Sequence, residues 1–223
     1  MIDVHHLENS RSQRVLWLLE ELGLEYRIVE YARDPETMLA PPALKKVHPL
    51  GKSPVITDGD VVVAESGAII DYLIEGYDTR CQLLPEPGSA EHRHYRYWLH
   101  YAEGSAMPLL VMKLVFSRLG KPPVPALMRP LGNLFATGVK RKFLEPQIRQ
   151  HLDFWEAILG KSTWFAGERF TAADIQMSFP LLAVEQREGL EGRPHLKACL
   201  ERMRERPAYQ RAVDKGGEFN LSE

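Results

Sequence analysis

Residues 49–56, PLGKSPVI, set a proline directly before a run with the character of a β-strand. Pro54 has no N–H to give to a ladder, whereas Val55, Ile56 and Thr57 are strand formers. A proline in such a place marks an edge, a first strand residue or a bend, and its surroundings decide which. Upstream, Ile2–Leu7 reads as a strand. Val15, Leu16, Leu18, Leu19 and Leu22 then recur at helical spacing, and Gly23 supplies a stop. Residues 26–31, YRIVEY, alternate as a strand does. Downstream, Asp58-Gly59-Asp60 separates Val55–Thr57 from Val61–Ala64 and signals a hairpin. Ser66 opens a helix through Ile69, Ile70, Leu73 and Ile74. With a short helical stretch near Pro42–Val47, the order is β-α-β-(α)-β-β-α, which buries a small mixed sheet against helices.

Beyond residue 80 the character changes. Residues 81–90, CQLLPEPGSA, look like a linker. Glu91–Leu119, Lys140–Leu159, Thr171–Glu188 and His195–Glu205 follow as helical stretches, the first two separated by the proline-rich turn KPPVP (121–125). Residues 1–80 carry 8 Lys and Arg against 14 Asp and Glu, and residues 81–223 carry 20 against 16. The expected division is therefore an α/β domain over 1–80, a linker over 81–90 and an all-helical domain over 91–223. At 170–175, FTAADI, Thr171 and Asp174 form a capping-box pattern, with Phe170 and Ile175 at the positions of a hydrophobic staple. That is a folding device, not a site.

The composition narrows the class. A chain of 223 residues buries enough surface to need no disulfide or structural metal. The N-terminus lacks a basic segment followed by an apolar one, and no apolar run approaches the ~20 residues that span a bilayer, so a cytoplasmic protein is expected. A net charge of −2 argues against nucleic-acid and membrane partners. Cys81 and Cys199 are isolated thiols without a C-x-x-C. The His5/His6 and His92/His94 pairs are poorly spaced to clamp a metal, so none is expected.

Candidate polar residues gather at helix starts. Ser10 with Gln13 reads as an S-x-x-Q capping box for the first helix. Ser66 is a good N-cap with Glu65 before it, and a helix N-terminus is also an anion site.

LENSRSQRVLWLLEELGL, HPLGKSPVI, AESGAIIDYL and FTAADI, in this order and spacing, resemble the cytosolic glutathione transferases, most closely the fungal and bacterial branches, over essentially the whole chain. The resemblance implies a thioredoxin-like domain followed by a helical one, a cytoplasmic homodimer, and conjugation of glutathione, as a thiolate, to hydrophobic electrophiles. Glutathione-dependent disulfide or peroxide reduction, deglutathionylation and a non-catalytic binding module stand as alternatives. It implies that the bond before Pro54 is cis, leaving the backbone of Ser53 to pair with the cysteinyl unit of glutathione. It places the γ-glutamyl group at Glu65 and Ser66, and offers Lys52 and His48 for the glycyl carboxylate. Glu103 of YAEGS matches a position that in many members reaches across a dimer toward the tripeptide's amine. Serine-type members have S-x-x-x-R, matched by Ser10 and Arg14. Ser10 is thus the candidate for the group facing sulfur, with Asn9 and Ser12 left open. No tyrosine lies between residues 2 and 25 and no cysteine in this turn. Tyr97, Tyr101, Met107, Met112 and Phe116 are candidates for the electrophile pocket.

Overall fold

A computed structural model describes all residues except 35, 36, 38 and 221–223. Strand β1 (Ile2–Leu7) lies between β2 (Tyr26–Tyr31), parallel to it, and β3 (Val55–Asp58), antiparallel to it. Strand β4 (Val61–Ala64) closes the sheet, so the order is β2-β1-β3-β4. Helix α1 (Ser12–Leu22) presents Val15, Leu16, Trp17, Leu18 and Leu19 to the core and leaves none of them more than 1% exposed. Losing such a leucine costs about 2–5 kcal/mol. Gly23 ends the helix in the left-handed region at φ 65°, where a residue without Cβ is favoured. Helix α2 (Ser66–Tyr77) packs beside α1 and inserts Ile69, Ile70, Leu73 and Ile74 into the same core.

The second half is helical. Helix α3 (Ala90–Tyr101) runs through a π turn (Ala102–Ala106) into α4 (Met107–Ser117), and α5 (Arg129–Val139) runs through another (Lys140–Leu144) into α6 (Glu145–Leu159). Helix α7 (Ala172–Glu188) is the axle: every residue from Ala172 to Val184 is buried, as expected for a helix surrounded by others. Asp174 fastens its start. One carboxylate oxygen accepts the Thr171 N–H at 2.8 Å and the Thr171 hydroxyl at 3.0 Å, and the other accepts the Phe165 N–H at 2.8 Å. Helices α8 (Pro194–Arg204) and α9 (Pro207–Gly216) complete the chain, α9 lying along α1. No described helix is long and apolar enough to cross a membrane.

Several expectations are corrected. The Ser10–Gln13 capping box does not form: α1 begins at Ser12 with Arg11 at the cap, and the Gln13 amide donates instead to the Ala212 carbonyl at 3.0 Å. Ser66 is not the cap of α2 but its first residue. Glu65 holds the cap position at φ 73°, a conformation that costs a side-chain-bearing residue energy. The interval after KPPVP contains α5, and α9 follows α8. Both helices went unread.

Candidate active site

The loop between β1 and α1 delivers Asn9, Ser10 and Arg11 to the N-terminal end of α1, where the helix dipole favours negative charge. Ser10 is only 7% exposed. Its Oγ accepts the Ser12 N–H at 3.2 Å, lies 2.8 Å from Ser12 Oγ and is 3.3 Å from Ser53 Oγ. The Ser53–Pro54 bond is cis, as the motif implied. Ser53 donates its hydroxyl to the His5 carbonyl at 3.2 Å, while its own N–H and C=O have no partner among the described residues. Because Val55 pairs with Ala64, Ser53 and Pro54 stand next to Ser66 and Glu65 across the ends of β3 and β4. The first turn of α2 is thus brought beside the first turn of α1.

A hydrogen-bond chain runs behind Ser10. The Gly216 carbonyl can only accept, so His6 Nε2, 2.9 Å away, carries the proton there. Burial lowers the His6 pKa and favours the neutral ring, leaving Nδ1 to accept from the Ser12 hydroxyl at 2.8 Å. Ser12 Oγ in turn accepts from Ser10. Gly216 fits because it has no side chain: a Cβ there would lie 2.3 Å from Leu16 Cδ1 and 2.7 Å from Gln13 Oε1. The end of α9 therefore fixes the hydroxyl arrangement at the start of α1.

Arg14 is fully buried. Its Nη1 donates to Glu103 and, at 3.2 Å, to Gln176, while Nε and Nη2 are buried without partners among the described residues. Arg11 Nε donates to both oxygens of the same carboxylate, at 2.9 and 3.0 Å. The two guanidinium groups sit 5.3 and 5.1 Å from the centroid of the Phe179 ring. Burial lowers Arg14 to about 10 against the pull of Glu103, so it stays charged at neutral pH. Burial acts to raise Glu103, but the charges of Arg14 and Arg11 outweigh it and hold the carboxyl below its usual range.

These elements border a cleft of about 470 Å³, the size of a small-molecule site. Asn9, Ser10, Arg11, Lys52 and Ser53 form its polar side. Met107, Leu110, Val111 and Leu114 of α4, with Phe179 and Ala183 of α7, form the apolar side. Of the expected pocket residues only Met107 lines it. Tyr101 is turned inward to Trp155 and His151, and Tyr97, Met112 and Phe116 are not in the wall. His48 is likewise outside the cleft, and its Nδ1 is buried without a partner among the described residues. Ser12 is wholly buried, and Asn9 Oδ1 accepts the Asn220 N–H at 2.8 Å. Sequence reasoning missed His6, Gln176, Phe179 and Gly216, whose roles arise from contacts remote in the chain. It noted Arg14 without its partner Gln176.

Residues 10–75 match the family model for the glutathione S-transferase N-terminal domain and residues 110–207 that for the C-terminal domain. The chain belongs to the glutathione S-transferase family. It is 39% identical to glutathione S-transferase 3 of Schizosaccharomyces pombe over 217 residues, covering 96% of this chain and 88% of that protein. The crystal structure of a glutathione S-transferase from Actinobacillus pleuropneumoniae shares 34% identity at a TM-score of 0.82, covering 100% of this chain and 96% of the other. A glutathione transferase from Phanerochaete chrysosporium, solved with oxidised glutathione, has the same fold at 23% identity and a TM-score of 0.76, covering 98% and 97% of the two chains. The thioredoxin-like sheet and all-helical second half are those of the glutathione S-transferase fold.

Proposed function

We propose that this glutathione S-transferase ionises glutathione at the start of α1 and adds the thiolate to hydrophobic electrophiles in the adjoining cleft. The observation that carries the reading is the meeting of Ser10 Oγ with Ser53 at the cis-proline bend, on the polar side of a cleft whose other side is apolar. The cysteinyl unit pairs with the free N–H and C=O of Ser53 as a one-residue strand addition. The γ-glutamyl carboxylate takes the N–H groups at the start of α2 beside Ser66, and Glu65 answers the ammonium. Lys52 reaches the glycyl carboxylate. Glu103 serves through Arg11 and Arg14, which already engage it within its own chain.

Ser10 supplies the hydrogen bond to sulfur. Its proton, turned toward Ser12 in the free protein, swings to the thiolate, a stronger acceptor than a neutral hydroxyl. Free thiols near pKa 8.5 are only slightly ionised at neutral pH, and helix N-termini lower that value. A fall of about two pKa units requires roughly 2.7 kcal/mol of preference for the thiolate. Sulfur held beside an apolar wall is then positioned to attack. Neither Cys81 nor Cys199 lines the cleft, so deglutathionylation through a protein thiol has no nucleophile there. Parallel assays with an aryl halide and a glutathione mixed disulfide test the proposal. Turnover of the halide and none of the disulfide is expected; the reverse would overturn it.

A further inference from the structure

A second cavity, of about 530 Å³, opens beside the cleft, between the end of α4, the turn at Lys121-Pro122, the π turn at Lys140 and the end of α7. Leu110, Leu114, Arg118 and Arg187 line both cavities, so the two adjoin and these arginines stand at their boundary. Neither guanidinium has a hydrogen bond or ion pair with a described residue. The one acid in the wall of the second cavity, Glu188, is held by Lys113 at 2.6 Å. The imbalance extends along the chain. Between Glu103 and Glu145 there is no Asp or Glu, while Lys113, Arg118, Lys121, Arg129 and the run Lys140–Lys142 are all basic.

The two arginines also feel each other. Burial lowers the pKa of Arg187, the charge of Arg118 lowers it further, and Glu188 only opposes the change. Like charges brought together beside an apolar wall are unfavourable until an anion lies between them. Guanidinium forks match a carboxylate with paired, charge-assisted hydrogen bonds. The leucines shared with the cleft offer the intervening apolar path.

We propose that Arg118 and Arg187 form a carboxylate subsite, and that the preferred electrophiles are hydrophobic molecules carrying an anionic carboxylate at the end remote from the reacting carbon. This rests on the transferase reading above and names its substrate class. In the reaction with an aryl chloride the glutathione sulfur forms a bond to the ring carbon. The carbon–chlorine bond breaks, and chloride leaves with the electron pair. The carboxylate takes no part in the bond changes; it positions the ring.

The test uses chloronitrobenzenes bearing a carboxylate on methylene tethers of increasing length, each beside its methyl ester, with every kcat/KM divided by the uncatalysed rate. At one tether length the acid is favoured over the ester by about tenfold or more, the scale of a charge-assisted contact. The double variant Arg118→Gln/Arg187→Gln, with Arg118→Gln alone as a milder form, brings the ratio close to one. Calorimetric titration with unreactive analogues, methyl in place of chlorine, repeats the comparison without catalysis. If no compound reacts but the acid analogue still binds more tightly and loses that advantage in the variant, the transferase reading fails and the subsite stands. Equal binding of acid and ester at every tether length, or a preference that survives in the variant, overturns the subsite.

Discussion

Arg11, Arg118 and Arg187 line the same cleft, with Arg14 enclosed behind Arg11, and the two pairs are answered in opposite ways. Arg11 and Arg14 share the carboxylate of Glu103 over the Phe179 ring, and Arg14 is wholly enclosed. Arg118 and Arg187 stand on the other side with no ion pair to a described residue, the nearby Glu188 being engaged by Lys113. The first pair ties the start of α1 to the π turn after α3 and to α7, so its charges belong to the architecture. The second ties nothing together, so its charges are available to a ligand. Matched burial builds a site, and unmatched charge at its rim selects what enters.

Substitutions turn that contrast into numbers. Arg14→Ala is expected to have the largest effect, because it removes an enclosed cation and leaves Glu103 half-answered in a partly buried place. Breaking such a pair costs about 3–5 kcal/mol, read as a fall in the urea midpoint. A loss no larger than that at Arg118 would erase the distinction between the pairs.

A third cluster sharpens the comparison from the acid side. Burial acts to raise Glu20, but hydrogen bonds from Lys215, Arg211 and Tyr26 prevail and bring it down to about 2 from 4.5. A carboxyl depressed on folding stabilises the fold above its ordinary pKa and loses that contribution as pH falls through the folded value. Stability should therefore decline between about pH 4.5 and 2 as α9 loosens from α1. Glu20→Gln should flatten that part of the stability–pH curve, followed by thermal melting. An unaltered curve would mean that these ion pairs do not hold α9. The smallest effect belongs to Arg118→Gln and Arg187→Gln, each expected to stay within about 0.5 kcal/mol of the parent stability. A larger loss in the same denaturation experiment would show that these side chains have structural partners.

What could be read in advance follows the same division between local and remote contacts. The order of β1, α1, β2 and the hairpin was legible because each carries its own period and turn residues, with Gly23 and Asp58-Gly59-Asp60 as clear punctuation. Helix α5, RPLGNLFATGV, hides behind a proline-rich turn, contains two glycines, and exposes Leu131, Leu134 and Phe135, so it lacks the usual buried stripe. Helix α9 meets α1 through partners about 190 residues or more away, Glu20 for Arg211 and Lys215, Gln13 for the Ala212 carbonyl and Trp17 for Tyr209, which no local pattern reveals. Ser10, Lys52 and Ser53, which line the cleft, could be singled out because their motifs are short and local. His6, Gln176 and Phe179 enter the site only once the chain has folded back on itself. The cap of α2 was misplaced by one residue because Glu65 adopts a backbone conformation uncommon for its residue type.

The central claim is that the start of α1, with Ser10, stabilises the thiolate of bound glutathione. The most direct measurement is the ultraviolet absorbance of that thiolate as a function of pH, for the parent protein and for Ser10→Ala. In the parent, ionisation should fall well below the free-thiol value of about 8.5. In the variant it should move back toward that value, with tripeptide affinity changed by no more than a few-fold. Identical titration curves for the two proteins would contradict the account.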